Sequence, residues 1–101
     1  MGQFTFNRVV GIVHTLASDP ALSVDNLLEK LCAGTGFSPK DLLGRSKSQS
    51  VASLRQGAYY LLHEKLGLSH PETARFMGRK DHTTSLYGVR KISGGLEAYA
   101  H

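Results

Sequence analysis

The apolar residues of this chain recur every three or four positions, and this spacing constrains the fold more than any other feature of the sequence. In the first segment the interval runs through Val9, Val10, Val13 and Leu16 and stops before Pro20. It is the interval of one face of an α-helix, whereas a half-buried strand alternates apolar and polar residues. No pair of alternating segments accompanies it. The pattern therefore predicts an all-α protein.

Capping residues and glycines divide the rest of the chain into further helical segments. Ser, Asp and Asn are favoured just before a helix and glycine just after it. The segment GRSKSQS, residues 44–50, has no apolar residue and is predicted to be a basic loop. We expect Ser93-Gly94-Gly95 to break the last helix, so that residues 94–101 form a C-terminal tail. One predicted helix follows a cap at Ser23 or Asp25 and ends at Cys32. The later predicted helices run from Ser38 to Leu43, from Val51 to Leu66 as the longest and central helix, from Ser69 to Met77, and from Asp81 to Ile92.

Positive charge is concentrated in the second part of the chain. The 101 residues carry a net charge of +4 at pH 7. Residues 1–40 sum to zero, whereas residues 45–92 hold nine Lys and Arg against three Asp and Glu, a net charge of +6. A polyanion such as nucleic acid is the partner that this distribution indicates. Charge alone leaves open that these side chains only keep a helical surface solvated.

The segment 69–92 has the pattern of a helix-turn-helix. Two short helices are joined by a tight turn at Gly78, with the small Ala74 where the pair must approach closely. Such a unit presents the N-terminus of its second helix to the DNA major groove. That N-terminus is short and polar here, which suits contacts to base edges. A run of helix caps is the alternative, although a cap requires a single such residue. The four residues are Asp81, His82, Thr83 and Thr84.

A set of motifs extends from Asp41 to Ile92. DHTT is followed by an apolar helix and RKI, the long helix opens with RQ, and a serine-containing basic loop precedes it. The set resembles the C-terminal DNA-binding domain, domain IV, of the bacterial replication initiator DnaA. Residues 20–40 resemble its first helix less distinctly, and residues 1–19 are not covered. The resemblance implies a compact Trp-repressor-like multi-helix domain at residues 20–93, with an N-terminal helix at 1–19 packed on it or appended to it.

The resemblance also implies how the domain meets DNA. In the family an arginine of the basic loop enters the minor groove, and Lys47 stands at its position. Lysine is more strongly hydrated than arginine and less favoured in a narrow A/T-rich groove. Tyr87 replaces the family's common His and Leu54 its Pro, and a core-facing position is the alternative for Tyr87. The implied base contacts are Lys47, Pro71, Asp81, His82, Thr83, Thr84 and Tyr87, and the implied backbone contacts are Arg45, Ser48, Arg55, Gln56, Arg79, Lys80 and Lys91.

Several kinds of chemistry lack their motifs. There is no phosphate loop ending in Gly-Lys-Ser or Gly-Lys-Thr, so we expect no nucleotide and none of the initiator's ATPase activity. Neither HExxH nor CxxC occurs, and we expect no metal, no cofactor and no enzyme. The lone Cys32 lies in an apolar stretch and is predicted to be a buried packing residue. Without a secretory signal or a membrane-spanning apolar run, a cytoplasmic, nucleoid-associated protein is expected.

These observations predict sequence-specific binding of double-stranded DNA. The expected targets are DnaA-box-like sites, and the expected role is control of replication initiation or regulation of transcription. The periodic helix before residue 20 favours a free-standing protein over an excised domain. We expect a monomer, with a dimer possible through residues 5–17. The alternative is a protein-interaction adaptor that keeps the helix-turn-helix only as a scaffold and docks a partner on residues 5–17.

Overall fold

The computed structural model describes residues 5–99, and the regular structure of this range is helical throughout, as predicted. Two central elements are continuous, because α4 passes directly into a wider π-helical turn. The elements are α1 (Phe6–Ala17), α2 (Leu27–Cys32), α3 (Pro39–Leu43), α4 (Gln49–Tyr60) with the π-helical turn Leu61–Lys65, α5 (His70–Phe76) and α6 (Thr83–Tyr99).

Local hydrogen bonds that involve side chains precede the first residues of α4 and α2. Ser48 Oγ accepts the N–H of Val51 at 3.2 Å, so α4 begins at Gln49 rather than at Val51. The cap predicted for α2 at Ser23 or Asp25 is wrong. The side chain of Asn26 instead accepts the Ser23 N–H at 2.9 Å, which stabilises the turn in front of α2. With this hydrogen bond in the preceding turn, α2 begins at Leu27.

Helix α4 is the centre of the fold, as predicted, and packs against α1, α2, α3 and α6. Its Leu54 and the Leu61 and Leu62 of the π-helical turn are fully buried. A Cβ added at Gly57 would lie 3.0 Å from Val13 Cγ2, so the missing side chain lets α1 approach closely. The helix predicted to be the longest comprises α4, with 12 residues, and the π-helical turn, with 5, and is therefore as long as α6, with 17.

Helix α6 is long because it does not end at Ser93-Gly94-Gly95, where a break was predicted. It continues to Tyr99, so residues 94–99 are helical rather than a tail. A Cβ at Gly95 would lie 2.7 Å from Val10 Cγ2 and 3.0 Å from the Phe6 ring. Glycine in a helix costs about 1 kcal/mol relative to alanine. Close packing of α6 on α1 offsets this cost, so the glycine marks a helix contact and not a helix end.

The apolar stripe of α1 is buried inside this chain. Val9, Val10 and Val13 are at most 1% exposed and Leu16 is 9% exposed. They pack against α4 and α6, the two helices that contact α1 most. Helix α1 thereby supports the C-terminal half of α6, at the opposite end from the start of that helix.

Candidate nucleic-acid interface

Helix α5 begins with the capping box that the sequence predicted. Ser69 Oγ accepts the Glu72 N–H at 3.2 Å, and Glu72 Oε1 accepts the Ser69 N–H at 2.8 Å. The backbone N–H of Ser69, followed by its hydroxyl, lowers the pKa of the Glu72 carboxyl. Pro71 is exposed in the first turn of this helix. The box therefore fixes the backbone from which Pro71 projects.

The turn between α5 and α6 is closed by backbone hydrogen bonds. Gly78 has φ +73° and its N–H donates to Arg75 O at 3.0 Å. The N–H of Arg79 donates to Ala74 O at 2.8 Å. Ala74 is 1% exposed, and α5 packs against α6. This is the helix-turn-helix that the sequence predicted, and Gly78 adopts the left-handed conformation in its turn.

The N-terminus of α6 presents four exposed polar residues in succession. Asp81 Oδ1 accepts the Thr83 N–H at 3.0 Å, and Thr84 Oγ1 donates to the Asp81 carbonyl at 2.9 Å. The Thr83 N–H lowers the pKa of the Asp81 carboxyl. At neutral pH Asp81 is therefore an acceptor, while Thr84 leaves its methyl group exposed. His82, between them, is exposed as well.

Tyr87 lies one turn further along α6 and is 61% exposed. The alternative of a core-facing aromatic at this position is wrong, because most of the side chain is exposed and the neighbouring Gly88 is the residue that packs closely on α4. A Cβ at Gly88 would lie 2.6 Å from the Tyr59 ring. The next turn carries Lys91, whose Nζ is 6.0 Å from the Tyr87 ring and 5.3 Å from the Phe6 ring. Helix α1 thus contributes an aromatic neighbour to Lys91.

The basic loop lies between α3 and α4, and its Arg45, Lys47 and Ser48 are exposed. The loop is anchored at its first residue. The Gly44 carbonyl accepts 2.9 Å hydrogen bonds from Nη2 of Arg55 and from Nη2 of Arg79. Nothing in the sequence pattern indicated that these two arginines meet on one backbone atom.

A cleft of about 230 Å³ brings residues of α4, the turn and α6 together. Five of the predicted contacts line it, namely Arg55, Gln56, Arg79, Thr84 and Tyr87. The buried Oε1 of Gln56 has no hydrogen-bond partner within residues 5–99, so hydrogen-bonding capacity remains unused here. The lining does not include the basic loop, Pro71 or Lys91, which flank it as separate parts of the surface.

The thiol of Cys32 and the imidazoles of His63 and His70 pack against other residues of the fold. Cys32 is buried, as predicted, and burial raises the pKa of its thiol to about 11. The rings of His63 and His70 stack with centroids 3.9 Å apart. His70 Nδ1 lies 2.9 Å from the hydroxyl of Ser85 on α6. In the part of the chain that the structure describes, no three His, Cys, Asp or Glu side chains are grouped to hold a metal ion.

Comparison with known proteins assigns the chain to a family. The family model described as the bacterial DnaA protein helix-turn-helix matches residues 24–92. This chain belongs to that family. The chromosomal replication initiator proteins DnaA of Jannaschia sp. and Clavibacter sepedonicus are 35% and 37% identical over 82 and 79 residues. The DnaA of a Picosynechococcus species is 38% identical over 88 residues. No solved structure matches the chain.

The match to DnaA covers most of this chain and a small part of its relatives. The three alignments include 81%, 78% and 87% of the chain but 17%, 17% and 20% of the initiators. The family match extends from the start of α2 into α6, and α1 precedes it. The matched family is a helix-turn-helix family, in agreement with the turn between α5 and α6. Among the helices within residues 5–99, none has the length and apolar character needed to cross a membrane.

Proposed function

We propose that this chain binds double-stranded DNA sequence-specifically at DnaA-box-like sites, in control of replication initiation or in regulation of transcription. One observation carries the proposal. The exposed residues Asp81 to Thr84 lead into and begin α6, directly after a closed helix-turn-helix turn. This is the part of the motif that reaches base edges in the major groove.

The chemistry of this turn suits base reading. An ionised Asp81 can accept from the amino group of cytosine, His82 can donate to a purine acceptor, and the exposed methyl of Thr84 can contact a thymine methyl. Pro71 and Tyr87 flank the turn, and Lys47 is proposed to enter the neighbouring minor groove. Arg45, Ser48, Arg55, Gln56, Arg79, Lys80 and Lys91 are the proposed backbone contacts.

The two anchored arginines remain compatible with this role. A guanidinium has five N–H donors, and Arg55 uses two of them on the carbonyls of Leu42 and Gly44. Arg79 uses one on Gly44. Each side chain keeps donors for phosphate. Substitution of Arg55 would nevertheless disturb the fold as well as the contact, so Lys91 is the cleaner probe of phosphate binding.

Variants at these positions test the division between base and phosphate contacts. We expect Lys91→Ala to weaken specific and random duplexes equally and to lower the salt slope by about one unit. His82→Ala and Thr83→Ala should weaken the specific duplex preferentially, by about 1–3 kcal/mol each. Fluorescence anisotropy titrations at several salt concentrations measure both effects. An adaptor that keeps the motif only as a scaffold would show no salt-dependent affinity for DNA, which would contradict the proposal.

The lysine of the basic loop gives a second test. We expect wild type to prefer a duplex with a DnaA-type box over a scrambled duplex of the same composition. Lys47→Arg should strengthen binding to the box more than to the scramble, because a guanidinium is less strongly hydrated and suits a narrow A/T-rich minor groove. Competition titrations with the two duplexes measure the ratio. Equal strengthening of both duplexes would remove Lys47 from sequence reading and leave it as a general phosphate contact.

A further inference from the structure

Arg79 connects the helix-turn-helix to the basic loop. Its Nη2 donates to the Gly44 carbonyl at 2.9 Å, across a sequence separation of 35 residues. The same carbonyl accepts from Arg55 Nη2 at 2.9 Å, and Arg55 Nε donates to the Leu42 carbonyl at 2.8 Å. Three parts of the proposed DNA surface, namely the loop, α4 and the turn, therefore meet at one backbone oxygen.

Both ends of this connection are fixed by other hydrogen bonds. The backbone of Arg79 is held at the end of α5, because its N–H donates to Ala74 O at 2.8 Å. At the other end, the N–H of Gly44 donates to Lys40 O at 3.0 Å. Ser48 begins α4 as its N-cap. Lys47 therefore lies within three residues of the held carbonyl and directly before a fixed helix start.

The hydrogen bond from Arg79 is not needed to complete helix α3. The last carbonyls of a helix lack partners within it, and Arg55 alone already donates to both Leu42 and Gly44. The second guanidinium also adds repulsion. Burial, and after it the nearby Arg79, lower the pKa of the Arg55 guanidinium. What Arg79 contributes beyond capping is a link between the turn and the loop.

We propose that Arg79 is a positioning residue that holds the basic loop, and with it Lys47, in a fixed relation to the recognition helix α6. The minor-groove and major-groove contacts are thereby made in register. The inference rests on the proposed function and adds a positioning role to the backbone contact proposed above for Arg79. In this role Arg79 acts on DNA through Lys47.

The first experiment needs no DNA and uses the full chain. Arg79→Ala should loosen the loop, so that the backbone ¹⁵N order parameters of residues 45–47 fall below their values in wild type, although Arg55 still donates to the Gly44 carbonyl. Those of α4 should stay near the rigid value of about 0.85. Lys80→Ala is the matched control, because it removes the same charge from the next, exposed position. Unchanged order parameters in Arg79→Ala would overturn the link.

The second experiment is a double-mutant cycle with Lys47→Ala on box and scrambled duplexes. We expect Arg79→Ala to weaken the box more than the scramble, and this effect to shrink about threefold or more when Lys47 is already Ala. Lys80→Ala should have the same effect in both backgrounds. Equal weakening of both duplexes, independent of Lys47, would show that Arg79 acts only as a phosphate contact and would overturn the positioning role. If wild type does not prefer the box, the proposed function fails, and the order parameters still decide whether Arg79 holds the loop.

Discussion

Single side chains at the start of α6 have two structural consequences at once. Asp81 accepts the Thr83 N–H and so stabilises the start of α6, and the same bond keeps its carboxyl ionised by lowering its pKa. Thr84 uses its hydroxyl on the Asp81 carbonyl and leaves its methyl group outward. Because the helix itself orients these groups, they need little reordering when a ligand arrives. The polar run DHTT thus caps α6 and also supplies the surface that we propose reads bases.

The stacked histidines predict a pH dependence of stability. Burial, followed by the neighbouring His63 and His82, lowers the pKa of His70, with Arg90 acting in the same direction and Glu64 against it. The folded state therefore binds the proton of His70 more weakly than the unfolded chain does. The contribution of His70 to the free energy of unfolding is complete above the unfolded pKa of about 6.5 and is lost as the pH falls below that pKa.

Thermal melts between pH 8 and pH 5 check this dependence. The melting temperature of wild type should fall through the acid half of this range, and His70→Asn should flatten the fall. His14→Gln serves as the control, because His14 is exposed on α1 away from the pair. Identical pH profiles for wild type and His70→Asn would show that His70 does not carry the effect.

At the scale of helices, glycines inside a helix can mark close contacts instead of helix ends. Gly88 admits the Tyr59 ring of α4, and Gly95 admits Val10 and Phe6 of α1, both from within α6. Gly94 has open space around its missing side chain. Two adjacent glycines of one helix therefore differ in function, which the sequence GG does not reveal.

Alanine substitutions of the two glycines separate these functions. Both gain up to about 1 kcal/mol of helix propensity. Gly94→Ala should therefore stabilise the protein, whereas Gly95→Ala should be less stable than Gly94→Ala by about 1–3 kcal/mol, because its Cβ is forced against Val10. Urea unfolding of the two variants measures the difference. Equal stabilisation by both would mean that α6 does not pack closely on α1.

At the scale of the molecule, α1 completes the core. Val9, Val10, Val13 and Leu16 are buried against this chain's own helices rather than presented to a partner. Full burial of such a side chain contributes about 1.5–3 kcal/mol, a large fraction of the stability of a small domain. With that stripe covered, residues 5–17 retain no continuous apolar face for a second copy, and we expect a monomer.

Val13→Ala tests this use of α1 without removing the helix. It should cost about 1.5–3 kcal/mol and lower the melting temperature by about 4–8 °C for each kcal/mol, because Val13 packs on Gly57 at the centre of the fold. Asn7→Ala, at an exposed position of the same helix, should have little effect. Light scattering should give a monomer for both. A dimer that Val13→Ala dissociates without any loss of stability would contradict the intramolecular packing.

Much of this protein follows from local physical chemistry that is written in the sequence. The three- and four-residue apolar interval determines α-helices, and short-range caps such as Ser69 with Glu72 determine where α5 begins. The run DHTT after a tight glycine turn predicts the helix-turn-helix and the exposed start of α6. These features depend on residues within one or two helical turns of each other, so no knowledge of the tertiary fold is needed to infer them.

The remainder depends on contacts between residues that are far apart in the chain. Continuation of α6 through Gly95 depends on the approach of α1. The exposure of Tyr87 depends on the neighbouring Gly88 being the residue of α6 that packs closely on α4. The π-helical turn after Tyr60 and the stacking of His63 on His70 have no local pattern. Most of all, the sharing of the Gly44 carbonyl by Arg55 and Arg79 joins three segments. Local preferences of about 1 kcal/mol yield to such packing, which only the tertiary structure defines.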